Sequence, residues 1–261
     1  MKKIAVIGGG ISGLFIANLF SQNPDYEITI FERNYPTTLE KGYGIQLSVN
    51  SIKLLNKIGF ENIALNEKFH PNKVDFYSLK NKKICDLEIS KFNLKESKYT
   101  TLRRSTLIEF LKNEIFLKHI RFGKRIKEFS EMKGKILIKF DDNTNDLVDY
   151  VVGADGIFSN TRTFFEKKKN KPIFKKAVAI RTIFKNKKDL YINEKNISLF
   201  MGSNLHLVIY PINKKNELNL VCIIRNKKND LNDVKTLVAR TVLKQNLNLK
   251  YLFETNLNSW P

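Results

Sequence analysis

The order of hydrophobic and polar residues over positions 1–32 predicts a strand, a helix and a second strand. Within the predicted strand 3–7, residues 4–7 are apolar; three glycines follow, and apolar residues then recur with helical spacing over 11–21. Residues 27–32 alternate and are rich in Ile, Thr and Phe, as is typical of a strand. The chain therefore begins with a βαβ unit, which is the building block of parallel sheets.

Beyond this unit, the pattern predicts a mixture of helices, hairpins and further strands. The predicted elements are a helix over 50–58 capped by Asn50 or Ser51, a hairpin over 74–79 and 84–89, a helix with Leu107, Phe110, Leu111 and Ile115 on one face, strands over 125–132, 135–142, 147–156, 176–184, 197–202, 205–212 and 218–225, and a helix over 234–247. An α/β half thus precedes a mostly antiparallel half.

The predicted hairpin at 74–89 does not fit a parallel sheet built from βαβ units, so we assign it to the second half. Two interleaved domains result from this assignment. Residues 1–72 and 98–170 would form the first domain, and residues 73–97 and 171–261 the second. The expected fold class is α/β, with a Rossmann-like first domain and a mostly antiparallel β-sheet second domain.

Composition excludes a disordered or collagen-like chain, because 42% of the 261 residues are hydrophobic and 11% are aromatic. The formal net charge of +20 raises nucleic acid as a partner. The lysines are nevertheless spread along the chain in pairs such as Lys82-Lys83, which lie beside polar residues in predicted turns. We therefore interpret the charge as general surface charge that can steer anionic ligands, and expect no nucleic-acid partner.

The two cysteines, Cys85 and Cys222, suggest neither a disulfide framework nor a zinc site, since they lie far apart and form no C-x-x-C motif. No H-E-x-x-H motif or Cys/His cluster is present, so no metal is expected. A reducing, cytoplasmic location fits this cysteine usage.

The glycine run carries the first chemical signal, because Gly8, Gly10 and Gly13 form G-x-G-x-x-G between a strand and a helix. In that setting the glycines allow a tight turn, close approach of a pyrophosphate to backbone N–H groups, and close packing of helix and strand. Glu32 ends the second strand 19 residues after Gly13, where a carboxylate accepts hydrogen bonds from a ribose. A phosphate-binding P-loop is excluded because Leu14 stands where that motif requires lysine.

The same opening run has two competing interpretations, an export signal and a membrane anchor. Lys2 and Lys3 precede an apolar run, as in a signal peptide. That run lacks a small-residue cleavage site, is short for a membrane span, and contains three adjacent glycines. We therefore interpret it as a nucleotide-binding turn and expect no integral membrane segment.

A second signal is the stretch VVGADGIFSNTR at 151–162, in which an apolar strand runs into Asp155 and Gly156. Ser159 can then cap a short helix that carries Arg162. A carboxylate at the end of such a strand points into the crevice where α/β sheets bind ligands. The stretch can equally be an ordinary strand–turn–helix corner, and Arg162 either a nucleotide contact or a structural residue.

Together, these segments resemble the FAD-dependent aromatic hydroxylases, which are single-component flavoprotein monooxygenases that include the salicylate and hydroxybenzoate hydroxylases. The resemblance is carried, in the family's order, by GGGISGL with Glu32-Arg33, EKGYGIQLSVN, the R-x-x-L of 104–107, GADGIFSNTR and HLVIYPINKKNELNLV. The last segment is similar to the salicylate-hydroxylase-like branch. The resemblance implies a glutathione-reductase-type FAD-binding domain interleaved with a substrate domain.

By this resemblance, specific residues take cofactor-binding roles. The FAD pyrophosphate would be held by Gly8, Gly10, Ser12 and Gly13, and the adenosine ribose would be bound by Glu32. The rest of the flavin would lie along Arg33, Gly44, Gln46 and Arg104. Asp155 and Gly156 would serve both FAD and the approach of NADH or NADPH. Arg104 is preferred to Arg103 because it has the R-x-x-L spacing.

The resemblance also implies the reaction. NAD(P)H would reduce FAD, O₂ would add to the reduced flavin, and the resulting hydroperoxide would hydroxylate an aromatic or similarly electron-rich small molecule. His206 is the candidate catalytic base for a phenolic substrate, because it begins a strand of the second domain and imidazole titrates near neutral pH. The alternative interpretation of His206 is an ordinary histidine at the edge of a strand.

The chain departs from the family pattern at its C-terminus. Family members continue past a Trp-Pro-like position into a G-D-A-A-H-type segment that contacts the flavin, whereas this sequence ends at Trp260-Pro261. We therefore expect a truncated form of a longer enzyme. A flavin-dependent reductase or dehydrogenase, or an inactive fragment, remains the alternative function, and the oligomeric state stays open, a homodimer included.

Overall fold

The computed structural model describes residues 1–35, 42–114, 119–168, 171–185 and 192–225, together with the backbone of 258–260. The chain divides into two compact units, each made of several stretches. Unit 1 comprises Met1–Gly42, Lys57–Phe60 and Arg104–Ile173, and unit 2 comprises Tyr43–Asn56, Glu61–Arg103 and Phe174–Pro261.

The helices and strands of the described residues follow in one chain order. They are β1 (Lys2–Ile7), α1 (Ile11–Ser21), β2 (Tyr26–Glu32), β3 (Gly44–Leu47), α2 (Val49–Leu55), β4 (Lys68–Phe69), β5 (Lys73–Ser78), β6 (Lys83–Glu88), β7 (Thr100–Arg103), α3 (Arg104–Glu114), β8 (Ile120–Phe122), β9 (Ile126–Met132), β10 (Lys135–Phe140), β11 (Asn145–Val148), β12 (Tyr150–Gly153), α4 (Asn160–Glu166), β13 (Ala177–Lys185), β14 (Ile197–Met201), β15 (Leu205–Pro211), β16 (Glu217–Arg225) and β17 (Asn258–Trp260). Short 3-10 helices cover Asn56–Ile58, Phe60–Asn62 and Ile89–Phe92.

Unit 1 is built on a four-stranded parallel sheet in the order β12-β1-β2-β8. The chain leaves β1 through α1 to reach β2 on one side, whereas β12 pairs with the other side of β1. The strand order therefore reverses at β1. In open α/β sheets, the carboxyl ends of the strands at such a reversal form the ligand-binding crevice.

Both faces of this parallel sheet are covered. Alternate residues of β1 point to opposite faces, and Ala5 and Ile7 pack with Phe31 against the antiparallel sheet β11-β10-β9. Helices α1 and α3 pack together, and the side-chain amide of Asn18 donates to the carbonyls of Leu14 and Leu111 at 2.9 Å. These bonds satisfy a buried polar group and fix α1, whose first turn opens the candidate site.

Unit 2 contains a seven-stranded sheet in the order β17-β13-β16-β15-β14-β5-β6 and a three-stranded sheet in the order β3-β7-β4. The large sheet is antiparallel except where β14 pairs with β5. Alternation along its strands gives two apolar clusters, one that contains Ile180, Leu207 and Leu220 and another that contains Tyr210 and Ile212. The predicted α/β class with a mostly antiparallel second domain is confirmed.

Several local predictions differ from the structure. Helix α2 takes Ser48 as its N-cap instead of Asn50 or Ser51, and it ends in a 3-10 turn before Gly59. The strand predicted over 147–156 is two strands, β11 and β12, which are separated by Asp149. The helix predicted over 234–247 and Ile115 of the predicted helical face lie outside the described residues.

The unit boundaries also differ from the predicted domain boundaries. Unit 2 includes 43–56, 61–72 and 98–103, which the sequence pattern assigned to the first domain. The physical reason is strand pairing, because β3 and β4 pair with β7 and not with the parallel sheet.

In the described part of the chain the longest helices, α1 and α3, have 11 residues each, and none of its helices can span a bilayer.

Both cysteines are free thiols and belong to unit 2. Cys85 is exposed on β6, whereas Cys222 is buried in the large sheet. Burial raises the pKa of the Cys222 thiol to about 12, because the thiolate would lose its hydration. Cys222 is therefore a packing residue without thiolate reactivity at neutral pH.

Candidate functional site

Two loops of unit 1 meet at the carboxyl end of the parallel sheet. Gly8 follows β1 with a φ of +108°, and a Cβ atom at Gly8 would lie 2.4 Å from the carbonyl oxygen of Ala154, which follows β12. The N–H of Ala154 donates to the carbonyl of Ile7 at 2.8 Å. Glycine is therefore required at position 8 both for its backbone conformation and for the close contact between the loops.

Gly13 and Gly10 differ in the space around the position that a Cβ atom would take. A Cβ atom at Gly13 would lie 1.8 Å from the carbonyl oxygen of Gly8, so α1 can approach the turn only without a side chain there. At Gly10 a Cβ atom would meet nothing within 4 Å and would project into open space at the start of α1. Position 13 therefore serves packing, and position 10 keeps the cleft clear, as the motif predicts.

The N-terminus of α1 has no side-chain cap. Its N-cap, Gly10, makes no side-chain capping hydrogen bond, and the first turn contains no acidic residue. The first N–H groups of a helix have no acceptor within the helix, and its dipole concentrates positive charge there. An uncapped helix start that faces open space fits a phosphate or pyrophosphate group.

Glu32 is buried, with 5% of its surface exposed, beside this turn. Its Oε2 accepts from the N–H of Gly9 at 2.6 Å, and its Oε1 accepts from the N–H of Asn34 at 2.8 Å. An ionised carboxylate has about four acceptor positions. Glu32 thus ties the glycine turn to the end of β2 and retains acceptor positions for hydroxyl donors such as those of a ribose.

Asp155 lies at the cleft, and its carboxylate also holds the start of α4. Its Oδ1 accepts from the hydroxyl of Ser159 at 2.5 Å, and its Oδ2 accepts from the N–H groups of Asn160 and Thr161 at 2.8 and 3.1 Å. Ser159 caps the helix as well, because its hydroxyl accepts from the N–H of Arg162 at 2.9 Å. The predicted cap is confirmed, and Asp155 adds a second cap that sequence reasoning did not anticipate.

These residues surround one cleft of about 240 Å³ in unit 1. Its lining includes the predicted Gly8, Gly10, Glu32, Arg33, Asp155 and Gly156 and the unpredicted Ile7, Phe31, Asn34, Lys124, Arg125, Ile126, Ala154, Phe158 and Asn160. Pockets that bury a whole drug-sized ligand typically hold about 300–1,000 Å³. The cleft is therefore sized for one portion of a dinucleotide, and its donors and carboxylates fit that group.

Sequence analysis missed Lys124 and Arg125 because they follow β8, a strand of three residues that is too short to give a clear pattern. β8 is parallel to β2, so the two strands end at the same edge of the sheet, and the N–H of Lys124 donates to the carbonyl of Glu32 at 2.9 Å. The Lys124 ammonium donates to Asp142 at 2.6 Å and lowers the pKa of that carboxyl to about 2.

The predicted residues Gly44 and Gln46 belong to β3 of unit 2. The N–H of Gly44 donates to Oδ1 of Asn219 at 2.7 Å, and a Cβ atom at Gly44 would lie 2.7 Å from the Cβ of Asn219. The Gln46 amide accepts from the hydroxyl of Tyr99 at 2.8 Å and also bonds Tyr210, whose phenol pKa is raised by burial. Glycine at position 44 is therefore enforced by packing within unit 2.

The remaining predicted site residues lie outside the cleft lining. Ser12 is exposed in the first turn of α1, and Arg104 begins α3, where partial burial lowers the pKa of its guanidinium. His206 is exposed on β15 of unit 2. Within the described residues, no group of three or more His, Cys, Asp or Glu side chains is arranged to hold a metal ion.

Comparison with known proteins places this arrangement among flavoproteins. A family model described as "FAD binding domain" matches residues 1–251. The 6-hydroxynicotinate 3-monooxygenase of Pseudomonas fluorescens is 28% identical over 171 residues, which cover 61% of this chain and 42% of that protein. The FAD-dependent monooxygenase pigN of Monascus ruber is 26% identical over 238 residues, which cover 85% of this chain and 54% of that protein. The chain thus spans about half the length of these relatives.

A solved structure shows the same fold. Klebsiella pneumoniae HpxO, complexed with FAD and uric acid, matches with a TM-score of 0.88 at 15% sequence identity. The match covers 99% of this chain and 67% of that chain. At this level of identity, the likeness establishes the fold.

Proposed function

The chain belongs to the FAD binding domain family, and from that premise we propose that it acts in an FAD- and NAD(P)H-dependent monooxygenase. The proposed substrate is an aromatic or similarly electron-rich small molecule. The names of the curated relatives support this reaction class. The single observation that carries the proposal is the uncapped start of α1, which faces open space beside Glu32 at the reversal point of a parallel sheet.

In unit 1, we assign the cleft residues to the FAD dinucleotide. The backbone from Gly8 to Gly13 would bind the pyrophosphate through the N–H groups of the first turn of α1. Glu32 would accept hydrogen bonds from the adenosine ribose, and its bond from Gly9 would keep the turn and the carboxylate in fixed relative positions. The exposed Arg33 and the neighbouring Arg125 would add positive charge that attracts the anionic cofactor.

Asp155 and Gly156 complete the proposed cofactor site at the end of β12. Because Asp155 caps α4 through two backbone N–H groups, it would act on the cofactor chiefly by fixing the loop that carries Gly156. Gly156 has a φ of +77° and open space around its Cβ position, so its backbone can approach a ligand closely. Ser12 remains a proposed pyrophosphate contact, and Gly44, Gln46 and Arg104 remain proposed contacts along the rest of the flavin.

When bound, FAD would supply the redox chemistry, namely hydride acceptance from NADH or NADPH and activation of O₂. The residues of the chain would bind, orient and shield the reactants. The two free cysteines are consistent with a reducing, cytoplasmic setting for this chemistry.

Oxidation of NADH and NADPH by the full-length enzyme tests the proposed function. In air, candidate hydroxyaromatic compounds should accelerate oxidation of one of the two nucleotides, and a product should carry one oxygen atom from ¹⁸O₂. The same assay without O₂ separates the monooxygenase from a reductase or dehydrogenase. Anaerobic transfer of electrons to another acceptor at the full rate, with no label incorporated, would contradict the proposal.

His206 gives a second test, as the proposed base that accepts a phenolic proton. General base catalysis typically contributes about 10²–10⁴-fold, so His206→Gln should lower kcat by that factor. Because the side chain is exposed, the thermal unfolding midpoint should not change. An unchanged kcat would show that His206 is an ordinary strand histidine.

A further inference from the structure

The lining of the cleft in unit 1 includes an exposed aromatic ring, that of Phe158. Phe158 leaves 66% of its surface exposed, whereas the other phenylalanine of the lining, Phe31, is 1% exposed and belongs to the core of unit 1. Removal of apolar surface from water is favourable. An exposed ring beside a ligand cleft therefore gains from a bound molecule that covers it.

The backbone on both sides of Phe158 is fixed. The hydroxyl of Ser159 and the N–H of Asn160 donate to the carboxylate of Asp155 at 2.5 and 2.8 Å. Gly156 turns the chain within this loop with a φ of +77°. The backbone that carries the ring is thus already ordered, so little conformational entropy is lost when a ligand covers the ring.

Apolar side chains accompany Phe158 in the cleft lining. Ile7, Phe31 and Ile126 line the same cleft, belong to one apolar cluster and are at most 8% exposed. Glu32 adds a carboxylate to this lining. The cleft therefore combines an acceptor that suits ribose hydroxyls with apolar surface and an exposed ring that suit a planar base.

Adenine is the planar group of FAD that this combination fits, because it is joined directly to the adenosine ribose that we assign to Glu32. The isoalloxazine is separated from that ribose by the pyrophosphate and the ribityl chain, and a cleft of about 240 Å³ does not hold both ends of the cofactor. Given the proposed assignment of this cleft to FAD, on which this inference rests, we propose that Phe158 stacks on the adenine ring of the bound cofactor.

Titration of the full wild-type chain and of Phe158→Ala with FAD and with ADP tests this contact. ADP contains the adenosine and the pyrophosphate but no flavin. Loss of an aromatic side chain that stacks on a base typically weakens binding by about 5- to 150-fold, so the Kd of both ligands should rise by the same factor within this range. Because Phe158 is exposed, the urea midpoint should stay that of the wild type. Flavin fluorescence measures FAD binding, and titration calorimetry measures ADP binding.

Three further variants separate stacking from other effects. Ile157→Ala is the matched control, since Ile157 is the neighbouring residue and is 65% exposed but lies outside the cleft lining, and it should bind both ligands as the wild type does. Phe158→Tyr keeps the planar ring and should retain wild-type affinity. Phe158→Leu keeps apolar surface without a ring, so its affinity should fall between those of Phe158→Ala and the wild type.

Unchanged binding of FAD and ADP by Phe158→Ala, in a wild type that binds both, would overturn the stacking role and leave the proposed function standing. A higher Kd for FAD with an unchanged Kd for ADP would also overturn it, because the ring would then contact the flavin half of the cofactor. A folded wild type that binds neither ligand would contradict the assignment of the cleft to FAD itself.

Discussion

Replacing Gly13 with alanine should abolish FAD binding, because the added methyl group has no space. Its Cβ would lie 1.8 Å from the carbonyl oxygen of Gly8 and 3.4 Å from the Cβ of Ala154. Both obstructions belong to the loops that form the cleft, and the nearer one is backbone that cannot rotate away. We expect Gly13→Ala to lose at least about 4 kcal/mol of unfolding free energy, as the most severe packing changes do. Urea unfolding and flavin fluorescence measure the two effects.

Gly10→Ala is the matched control for the loss of stability, since it makes the same change in the same motif. Gly10 has a φ of −76°, which alanine adopts without strain, and its Cβ would meet nothing within 4 Å. The unfolding free energy should therefore stay within about 1 kcal/mol of the wild type. A Gly13→Ala protein that unfolds at the wild-type urea concentration would show that α1 and the turn are not packed as described.

Glu32→Ala should have the second largest effect, because it removes a buried acceptor that two backbone donors share. The N–H groups of Gly9 and Asn34 would lose their partner, and leaving the buried Gly9 donor unsatisfied costs about 1–3 kcal/mol. The proposed hydrogen bonds to the ribose would also be lost, and a bond to a charged group contributes about 1.5–3 kcal/mol. We expect the Kd for FAD to rise roughly 100-fold or more, as measured by equilibrium titration.

The conservative variant Glu32→Gln separates the two contributions. Glutamine keeps the shape and one carbonyl oxygen, so part of the turn's support remains, while the negative charge that favours the ribose hydroxyls is lost. The order of FAD affinity should be wild type, Glu32→Gln, Glu32→Ala. If Glu32→Ala is folded and binds FAD as tightly as the wild type does, the assignment of Glu32 to the cofactor is wrong.

The parts of the fold that could be predicted are those whose pattern is local. The glycine turn, helix α1 and the ends of β1 and β2 follow from apolar spacing and from the positions of Gly8 and Gly13. The hairpin of β5 and β6 follows from two alternating runs around a polar turn. In each case, adjacent residues determine the structure, so a single sequence contains the information.

The pairing of short strands could not be predicted, because it depends on distant partners. β3 has four residues and β4 has two. Both pair with β7, which begins more than thirty residues further along the chain and directly precedes α3. Nothing in the local pattern distinguishes such segments from loops. The boundaries of the two units therefore differ from the predicted domain boundaries at these segments.

The candidate site, like the fold, could be predicted only where its residues belong to a local sequence pattern. Glycine spacing and a carboxylate at a strand end identify Gly10, Glu32 and Asp155 from the sequence. The double role of Asp155 as a helix cap, and the approach of Lys124 and Arg125 to the cleft, arise from tertiary packing at the ends of β12 and β8. A motif thus gives the centre of the site, and the sheet order determines its outer lining.

The most direct test of the central claim is an FAD titration of the folded wild-type chain and of Gly10→Ala, followed by flavin absorbance and fluorescence. The wild type should form a yellow complex with one FAD per chain. Gly10→Ala should remain folded, as shown by an unchanged urea midpoint, and yet bind FAD roughly 100-fold more weakly, since its methyl group would occupy the open space that we propose for the pyrophosphate. Equal affinity of the two proteins, or a folded wild type that binds no FAD, would contradict the assignment of this cleft to the cofactor.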